Sequence, residues 1–405
     1  MAGTKFAVYA AVAVAASVAL LAALLVLVPK LTTSATGQTE AKRVIAFELK
    51  YNYSLGRAVM ETHPVRVADM QPNSAVTILD PFSKDMAQYY RDSLSSGSEE
   101  AKGAFIQKAE PYSVYTLVRL PEWLSGSKDD ISSYRAYSAV ALSSGCLIKY
   151  FAEDGRWTID DPCHSDRYRP WDGLAIAGSA ALGMTSSSVP SNTGPLALAT
   201  LALSVDKDGY IAAKKPDLSA SGSPGQGRRL SQDEIAQSNR EMLDAADRNA
   251  GYALPFPDTG ALGKHNLLAT ITPAQPEPNV RVTGDLRAFA ALYVDYSSLS
   301  RDRIEIAAYP VESYPDLALK SSPSDPVKSM VDAAPSEGQH VKSGPGIAGR
   351  YAVLTTNYAQ HPTYAGAKLW GKGTDGTDLF VTVTATDMTM DELLSLAKGL
   401  GLGPD

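Results

Sequence analysis

Two short loops carry the residue types best suited to chemistry in this chain. One reads Ser-Ser-Gly-Cys146 and the other Asp161-Pro-Cys163-His164, and these two cysteines are the only ones among 405 residues. Thiolate and imidazole groups are ligands that proteins use for iron–sulfur clusters, zinc and copper. The two loops are therefore the first place to look for a metal or redox site.

With Tyr168 added, the loops resemble those of the Rieske iron–sulfur family. Family members read roughly Cys-x-His-x-Gly-Cys and Cys-Pro-Cys-His-x-x-x-Tyr. In each loop one cysteine and one histidine hold a two-iron cluster, and the remaining two cysteines form a disulfide. The resemblance implies that Cys146 and Cys163 are this disulfide pair. On the chain-entropy account, such a bond stabilises the fold by roughly 3 kcal/mol.

The family's ligand positions are mostly substituted in this sequence. The two ligand positions of the first loop fall on Ala141 and Ser143, and those of the second fall on Asp161 and His164. Alanine has no ligand atom, serine is a poor ligand, and a carboxylate oxygen is hard where a cluster needs soft sulfur. A Rieske cluster requires two thiolates and two imidazoles. The resemblance therefore implies a degenerate site with no cluster, and we expect no other cofactor.

Two alternatives remain open for this site. The first is a single zinc or copper ion at His164, with Asp161 and Asp166 near it in sequence. The second is a Rieske-type electron-transfer protein that binds a two-iron cluster or one metal through a non-standard ligand set.

Other candidate chemistry is weak. The adjacent carboxylates Asp129-Asp130 and Asp160-Asp161 are interpreted as solvated loop residues, because acid–base hydrolysis needs carboxylates held across a cleft. No Gly-x-Ser-x-Gly elbow or phosphate-binding P-loop occurs. The sequence therefore does not indicate an enzyme.

The resemblance extends from about Tyr112 to about Tyr210. Alternating apolar residues predict strands at 114–121 and 134–140, ahead of and leading into the first loop. Behind the second loop, 174–178 and 195–210 are similar to the strands that close a Rieske domain. These elements are expected to hold the two loops together at one end of a β domain.

A different domain is predicted after a Ser/Gly/Pro-rich linker at 218–230. The capping boxes Ser231–Glu234 and Thr389–Glu392 predict helices running to about Arg248 and about Leu400. Between them, β-forming runs predict strands at 287–296, 303–308, 352–355, 367–371 and 379–385. This order predicts an antiparallel sheet with a packed terminal helix.

The first residues predict a membrane anchor. Phe6 to Val28 carries no charge, and at 1.5 Å per residue it is long enough to cross a bilayer core of about 30 Å. A cleaved signal peptide is the alternative, although signal cores are typically about 7 to 15 residues. The implied disulfide places the bulk of the chain outside the cytoplasm.

Composition agrees with a folded ectodomain. The chain has 44% hydrophobic and 20% charged residues, as globular domains do. A net charge of −7 lacks the basic face that phosphate binding needs, which excludes nucleic acid as a partner.

We therefore expect a mainly β protein with an α+β part. Its predicted divisions are an anchor and stalk at 1–40, a Rieske-like domain at 41–217, the linker, and an α+β domain at 231–405. The predicted role is a single-pass, extracytoplasmic structural, assembly or interaction module of a respiratory-type membrane complex. Its expected partners are membrane lipid around residues 6–28 and other subunits of that complex.

Overall fold

A computed structural model of the chain describes most of the sequence after residue 40. The described residues are 41–52, 57–82, 114–126, 129–152, 157–185, 194–215, 222–262, 266–274, 279–296, 302–319, 339–357 and 364–404. The predicted anchor at 6–28 and the short helices that helical spacing suggests at 83–94 and 98–109 lie outside them. Residues 42–405 belong to one compact unit.

The expected class is confirmed, since strands dominate and helices are few. A five-stranded antiparallel sheet comes first, in the order β3-β2-β4-β5-β6. Its strands are β2 (Ile45–Asn52), β3 (Arg57–Pro64), β4 (Ser74–Leu79), β5 (Val114–Arg119) and β6 (Tyr134–Ser138). All six residues of β5 are buried, because this strand has a neighbour on each side and is covered on both faces.

Alternating apolar and polar residues at 43–49 predict a single strand, but the structure divides this stretch between two sheets. β1 (Lys42–Arg43) pairs with β13 (Ile211–Lys214), which pairs in turn with β12 (Ala202–Val205). At the break, the backbone of Val44 donates to the Ile211 carbonyl and accepts from Val65. Val44 is fully buried between the two sheets.

A small four-stranded antiparallel sheet supports the candidate loops. Its order is β10-β9-β8-β7, and its strands are β7 (Lys149–Phe151), β8 (Thr158–Asp160), β9 (Arg167–Tyr168) and β10 (Ala175–Ala177). In its register Ile159 lies opposite both Tyr150 and Tyr168. Ile159 and Tyr168 are fully buried and contribute to a core beneath the loops.

The C-terminal end of the predicted linker pairs with the Rieske-like region. β14 (Arg228–Arg229) forms a two-stranded antiparallel ladder with β11 (Leu196–Ala197). Residues 216–221 lie outside the described part, and the two-domain division stays a prediction.

The last part of the chain forms the expected antiparallel sheet, and this sheet has seven strands. Its order is β15-β16-β17-β21-β20-β19-β18. Its strands are β15 (Leu267–Pro273), β16 (Phe289–Asp295), β17 (Arg303–Pro310), β18 (Gln339–Gly344), β19 (Tyr351–Asn357), β20 (Ala365–Lys372) and β21 (Asp378–Ala385). The five predicted strands are confirmed, whereas β15 and β18 were not predicted.

Both predicted helices are confirmed with their caps. After the one-turn helix α1 (Glu122–Ser125), the long helix α2 (Gln232–Asn249) begins with a full capping box between Ser231 and Glu234. The helix α3 (Met390–Gly399) begins with the same motif between Thr389 and Glu392. Each box satisfies backbone N–H groups that have no partner inside the helix.

The largest core joins residues from both predicted domains. Leu120, Trp123 and Leu124 pack in one cluster with Met242 of α2 and Phe289 of β16. The rings of Trp123 and Phe289 lie 5.2 Å apart between centroids. Among the described residues, no helix is both long and apolar enough to span a membrane.

Candidate functional site: the disulfide-linked loop pair

Two loops at the edge of the four-stranded sheet form the candidate site. The first connects β6 to β7 and turns back on itself, because the Ala141 N–H donates to the Cys146 carbonyl at 2.8 Å. Gly145 has φ 73°, a left-handed conformation that glycine adopts without steric cost. The second loop connects β8 to β9 and is closed by the Asp161 N–H, which donates to the Asp166 carbonyl at 2.8 Å.

The predicted disulfide between Cys146 and Cys163 is present. Their Cα atoms are 6.4 Å apart, and the bond links the two loops across 17 residues of sequence. Since these are the only cysteines in the sequence, the bonded protein has no thiolate to offer a metal.

Asp166 holds the two loops together by its buried side chain. One carboxylate oxygen accepts from the Ser143 hydroxyl and from the Tyr168 hydroxyl, the latter at 3.3 Å. The other oxygen accepts from the Ala180 N–H at 3.2 Å. Asp166 is fully buried, and a Cβ on Gly178 would lie 2.0 Å from its Oδ1. The space between the loops is therefore filled at this point by a hydrogen-bonded carboxylate.

Tyr168 has a fixed place in this arrangement. Its oxygen accepts from the Leu142 N–H at 3.0 Å while its hydroxyl donates to Asp166. Burial, and then the nearby Asp166 charge, raise the pKa of Tyr168 well above its ordinary value. Tyr168 is thus a neutral hydroxyl that ties the two loops, since it accepts from Leu142 in the first loop and donates to Asp166 in the second.

Asp161 lies beside the disulfide and is buried, with 3% of its surface exposed. Its Oδ1 accepts from the Cys163 N–H at 2.8 Å. Its Oδ2 is buried with no hydrogen-bond partner. A carboxylate oxygen in this position bears an uncompensated desolvation cost.

The four positions identified by the resemblance differ in environment. Ala141 is buried, Ser143 is half-buried and engaged with Asp166, and His164 is exposed. In the described part of the chain, one group of three or more potential ligand residues has its ligand atoms within 4.8 Å of one another, and its members are Cys146, Asp161 and Cys163. The structure does not add His164 or Asp166 to that group, although both are close to it in sequence.

The solvated-loop interpretation of the paired carboxylates is wrong for Asp160 and Asp161. Both are buried, and Asp160 accepts from the Thr158 hydroxyl at 2.5 Å. The interpretation fits Asp129 and Asp130, which are exposed. Asp129 pairs with Arg119, and Asp130 caps a short helical turn through the Ser132 N–H.

A second buried polar group was not singled out from the sequence. Arg169 has a fully buried side chain and forms a two-point ion pair with Asp172 at 2.7 and 2.6 Å. It also donates to Asn239 of α2 at 2.6 Å, and Asn239 donates to the Leu267 carbonyl at 2.8 Å. The available signal was the pair of opposite charges at Arg169 and Asp172, three residues apart and close to the second loop.

The charge of Asp172 is stabilised despite its burial. Burial alone would raise its pKa, but the Arg169 guanidinium and hydrogen bonds from Ser238 and the Leu174 N–H lower the pKa below the ordinary value. The ion pair therefore persists at neutral pH and fixes the β9–β10 turn against α2.

Comparison with known proteins supports the sequence resemblance. A protein of Haloferax mediterranei, whose name describes it as the Rieske subunit of a respiratory nitrate reductase, is 33% identical over 83 residues. The match covers 20% of this chain and 30% of that relative. No protein-family model matches the chain.

Solved Rieske oxygenases align over much of the chain at low similarity. The terminal oxygenase of carbazole 1,9a-dioxygenase from Novosphingobium sp. KA1 is 13% identical, with 82% of this chain and 74% of that chain covered and a TM-score of 0.21. The quaternary ammonium Rieske monooxygenase CntA is 11% identical over 69% of this chain and 63% of its own, with a TM-score of 0.18. TM-scores this low do not establish a common overall fold. The sequence similarity to the Haloferax mediterranei protein shows that the chain contains a Rieske-like region. The matched segment is 20% of the chain.

Proposed function

We propose that the protein is a membrane-anchored, extracytoplasmic component of a respiratory-type membrane complex. In this proposal its Rieske-like region holds no cluster and serves as a structural, assembly or interaction module. The respiratory context is supported by the name of the Haloferax mediterranei relative, whose match covers 30% of that protein.

The donor set around the loops carries the proposal. Both cysteines are bonded to each other, Ala141 offers no ligand atom, and the Ser143 hydroxyl donates to Asp166. Asp161 supplies hard oxygen atoms where a two-iron cluster of this type takes thiolate sulfur. The residues present therefore do not fit a Rieske cluster.

The way the region is attached supports a rigid module. The Arg169–Asp172 pair and Asn239 join the β9–β10 turn to α2 through buried hydrogen bonds. The disulfide constrains the exposed end of the loop pair. A surface held in one geometry loses little conformational entropy when a partner binds it.

Residues 6–28 are the proposed anchor. Their uncharged length suits a bilayer, and an oxidising compartment suits a disulfide that the folded protein keeps. The proposed contacts are membrane lipid around this segment and other subunits of the complex around the ectodomain.

The first test is the content of iron, acid-labile sulfide, zinc and copper per full-length chain, purified in mild detergent without added metals. We expect less than about one tenth of an atom of each per chain, since the donor set does not suit a cluster. Two irons and two sulfides per chain, with a reversible redox signal, would instead show an electron carrier and overturn the proposal.

The second test addresses the module role. Under the same mild solubilisation, the protein is expected to co-purify with membrane subunits in fixed stoichiometry. His164→Ala should leave that stoichiometry unchanged, because the imidazole is exposed. Recovery of the wild-type protein only as a free single chain would contradict an assembly role.

A further inference from the structure

The strongest unassigned feature is the group formed by Asp161 and the two bonded sulfur atoms. We propose that reduction of the Cys146–Cys163 disulfide creates a site for one thiophilic divalent cation of the zinc type, held by Cys146, Cys163 and Asp161. The inference rests on the proposed function, because it requires that no cluster uses these loops.

The three proposed ligands are already close together in the oxidised protein. The two Sγ atoms and a carboxylate oxygen of Asp161 lie within 4.8 Å of one another. A tetrahedral zinc ion places its ligands about 2.0 to 2.3 Å from itself, so small shifts bring these atoms into its coordination sphere. The Cys163 N–H, which donates to Oδ1 of Asp161, holds that carboxylate in place beside the sulfur atoms.

Asp161 Oδ2 is the independent observation that points to a cation. The residue is 3% exposed, and this oxygen is buried with no hydrogen-bond donor. A buried carboxylate oxygen is stabilised either by a donor or by a positive ion. The sulfur atoms of the disulfide are uncharged and do not compensate this carboxylate oxygen. A cation bound beside them would supply the positive charge.

The chemistry balances with a dithiol as the reductant. The dithiol transfers two electrons and two protons to the Cys146–Cys163 bond, so that two thiols form and the reductant becomes a cyclic disulfide. A divalent cation then displaces both thiol protons, because the thiolate is the ligand form. Two thiolates and one carboxylate leave the fourth tetrahedral position for water, as in open zinc sites.

The two sulfur ligands determine which metal ions the reduced site favours. Thiolates favour zinc over magnesium or calcium, which prefer oxygen ligands throughout. Cys163 is exposed and Cys146 is half-buried, so an ion reaches the sulfur atoms from solvent. The redox state of the cysteine pair thus controls metal binding, since the oxidised form has no thiolate and the reduced form has two.

Cobalt(II) and zinc(II) are suitable probes of the detergent-solubilised full-length chain. After dithiothreitol reduction and anaerobic desalting, the protein is expected to bind one cobalt per chain with thiolate-to-metal charge-transfer absorption. Zinc should displace the cobalt, and the untreated oxidised protein should show neither signal. Failure of the reduced protein to bind either ion, or equal binding by both forms, would overturn the inference.

Two carboxylate variants identify the ligand. Asp161→Asn should weaken zinc binding by at least about tenfold, since an amide lacks the charge of a ligating carboxylate. Asp160→Asn is the matched control and should change affinity by about threefold or less. Binding lost with His164→Ala and retained with Asp161→Asn would refute the assigned ligand set.

Urea unfolding with and without zinc shows whether the reduced protein is folded when it binds the ion. Zinc should raise the urea midpoint of the reduced protein and leave that of the oxidised protein unchanged, because only a folded site binds the ion. Absence of zinc binding in a folded, iron-free reduced protein would refute this inference while leaving the proposed function standing. Uptake of two irons with two sulfides would refute both.

Discussion

At the scale of single residues, Asp166 is the side chain on which the loop pair most depends. It accepts hydrogen bonds from Ser143, Tyr168 and the Ala180 N–H, and it is fully buried. Its acceptor role needs no metal. The loops are therefore joined by ordinary hydrogen bonds as well as by the disulfide.

Removing this acceptor should be costly. Asp166→Ala leaves buried donors without a partner, and we expect the free energy of unfolding to fall by about 3 kcal/mol. Tyr168→Phe removes one of these bonds together with the acceptor of the Leu142 N–H, and should cost about 2 kcal/mol. Urea unfolding measures both, and a loss for Asp166→Ala no larger than for Tyr168→Phe would contradict the central role of the carboxylate.

The cysteines and His164 should differ sharply in their effect on stability. Replacing both cysteines by serine removes a covalent link across 17 residues and should destabilise the fold by about 3 kcal/mol. His164→Ala should change the free energy of unfolding by less than about 0.5 kcal/mol, because the side chain is exposed. Equal tolerance of both changes in urea unfolding would show that the disulfide does not stabilise the loop pair.

At the scale of secondary-structure elements, the ion pair of the β9–β10 turn fixes the four-stranded sheet against α2. Arg169 reaches Asp172 within its own turn and Asn239 on the helix. Breaking a buried pair by removing one partner typically costs about 3 to 5 kcal/mol, because the other charge stays buried.

Asp172 should make stability depend on acid pH. Its pKa in the folded protein lies below the ordinary value of 3.8. Its contribution is therefore fully present above that value and is lost as the pH falls through the lower folded-state pKa. Asp172→Asn should destabilise the protein at pH 7, and its difference from wild type should narrow below about pH 4. A difference that stays constant in urea titrations from pH 7 to pH 2.5 would contradict this assignment.

At the scale of the whole molecule, one apolar core crosses the predicted domain boundary. Trp123 lies before the predicted linker and packs against Phe289, which lies after it, with Met242 of α2 in the same cluster. Cores shared in this way couple the unfolding of the parts that form them. Residues 42–405 are therefore expected to unfold together.

A cooperative transition tests this coupling. We expect tryptophan fluorescence and far-ultraviolet circular dichroism to report the same urea midpoint for a chain from residue 41 onward, because three of the four tryptophans lie in or against the shared core. Phe289→Ala, which leaves a cavity in that core, should move both midpoints equally. Two separated transitions would instead support domains that fold independently.

Much of the fold could be predicted because it depends on local patterns. The capping boxes at Ser231 and Thr389 specify helix starts through contacts three residues apart, and both helices begin there. Alternating β-formers placed five of the seven strands of the large sheet. The strand β18 was missed because four of its six residues are Gln, His, Lys and Gly, which do not show the β pattern.

The sequence by itself determined the Rieske-like loops, the pairing of Cys146 with Cys163 through family resemblance, and the mainly β class. Only the tertiary structure placed Asp166 between the loops, left Asp161 Oδ2 buried beside the disulfide, and brought Arg169 to Asn239 across 70 residues. These contacts depend on sheet register and on how α2 packs. Since such packing is set by the whole core, no local pattern of residues reveals it.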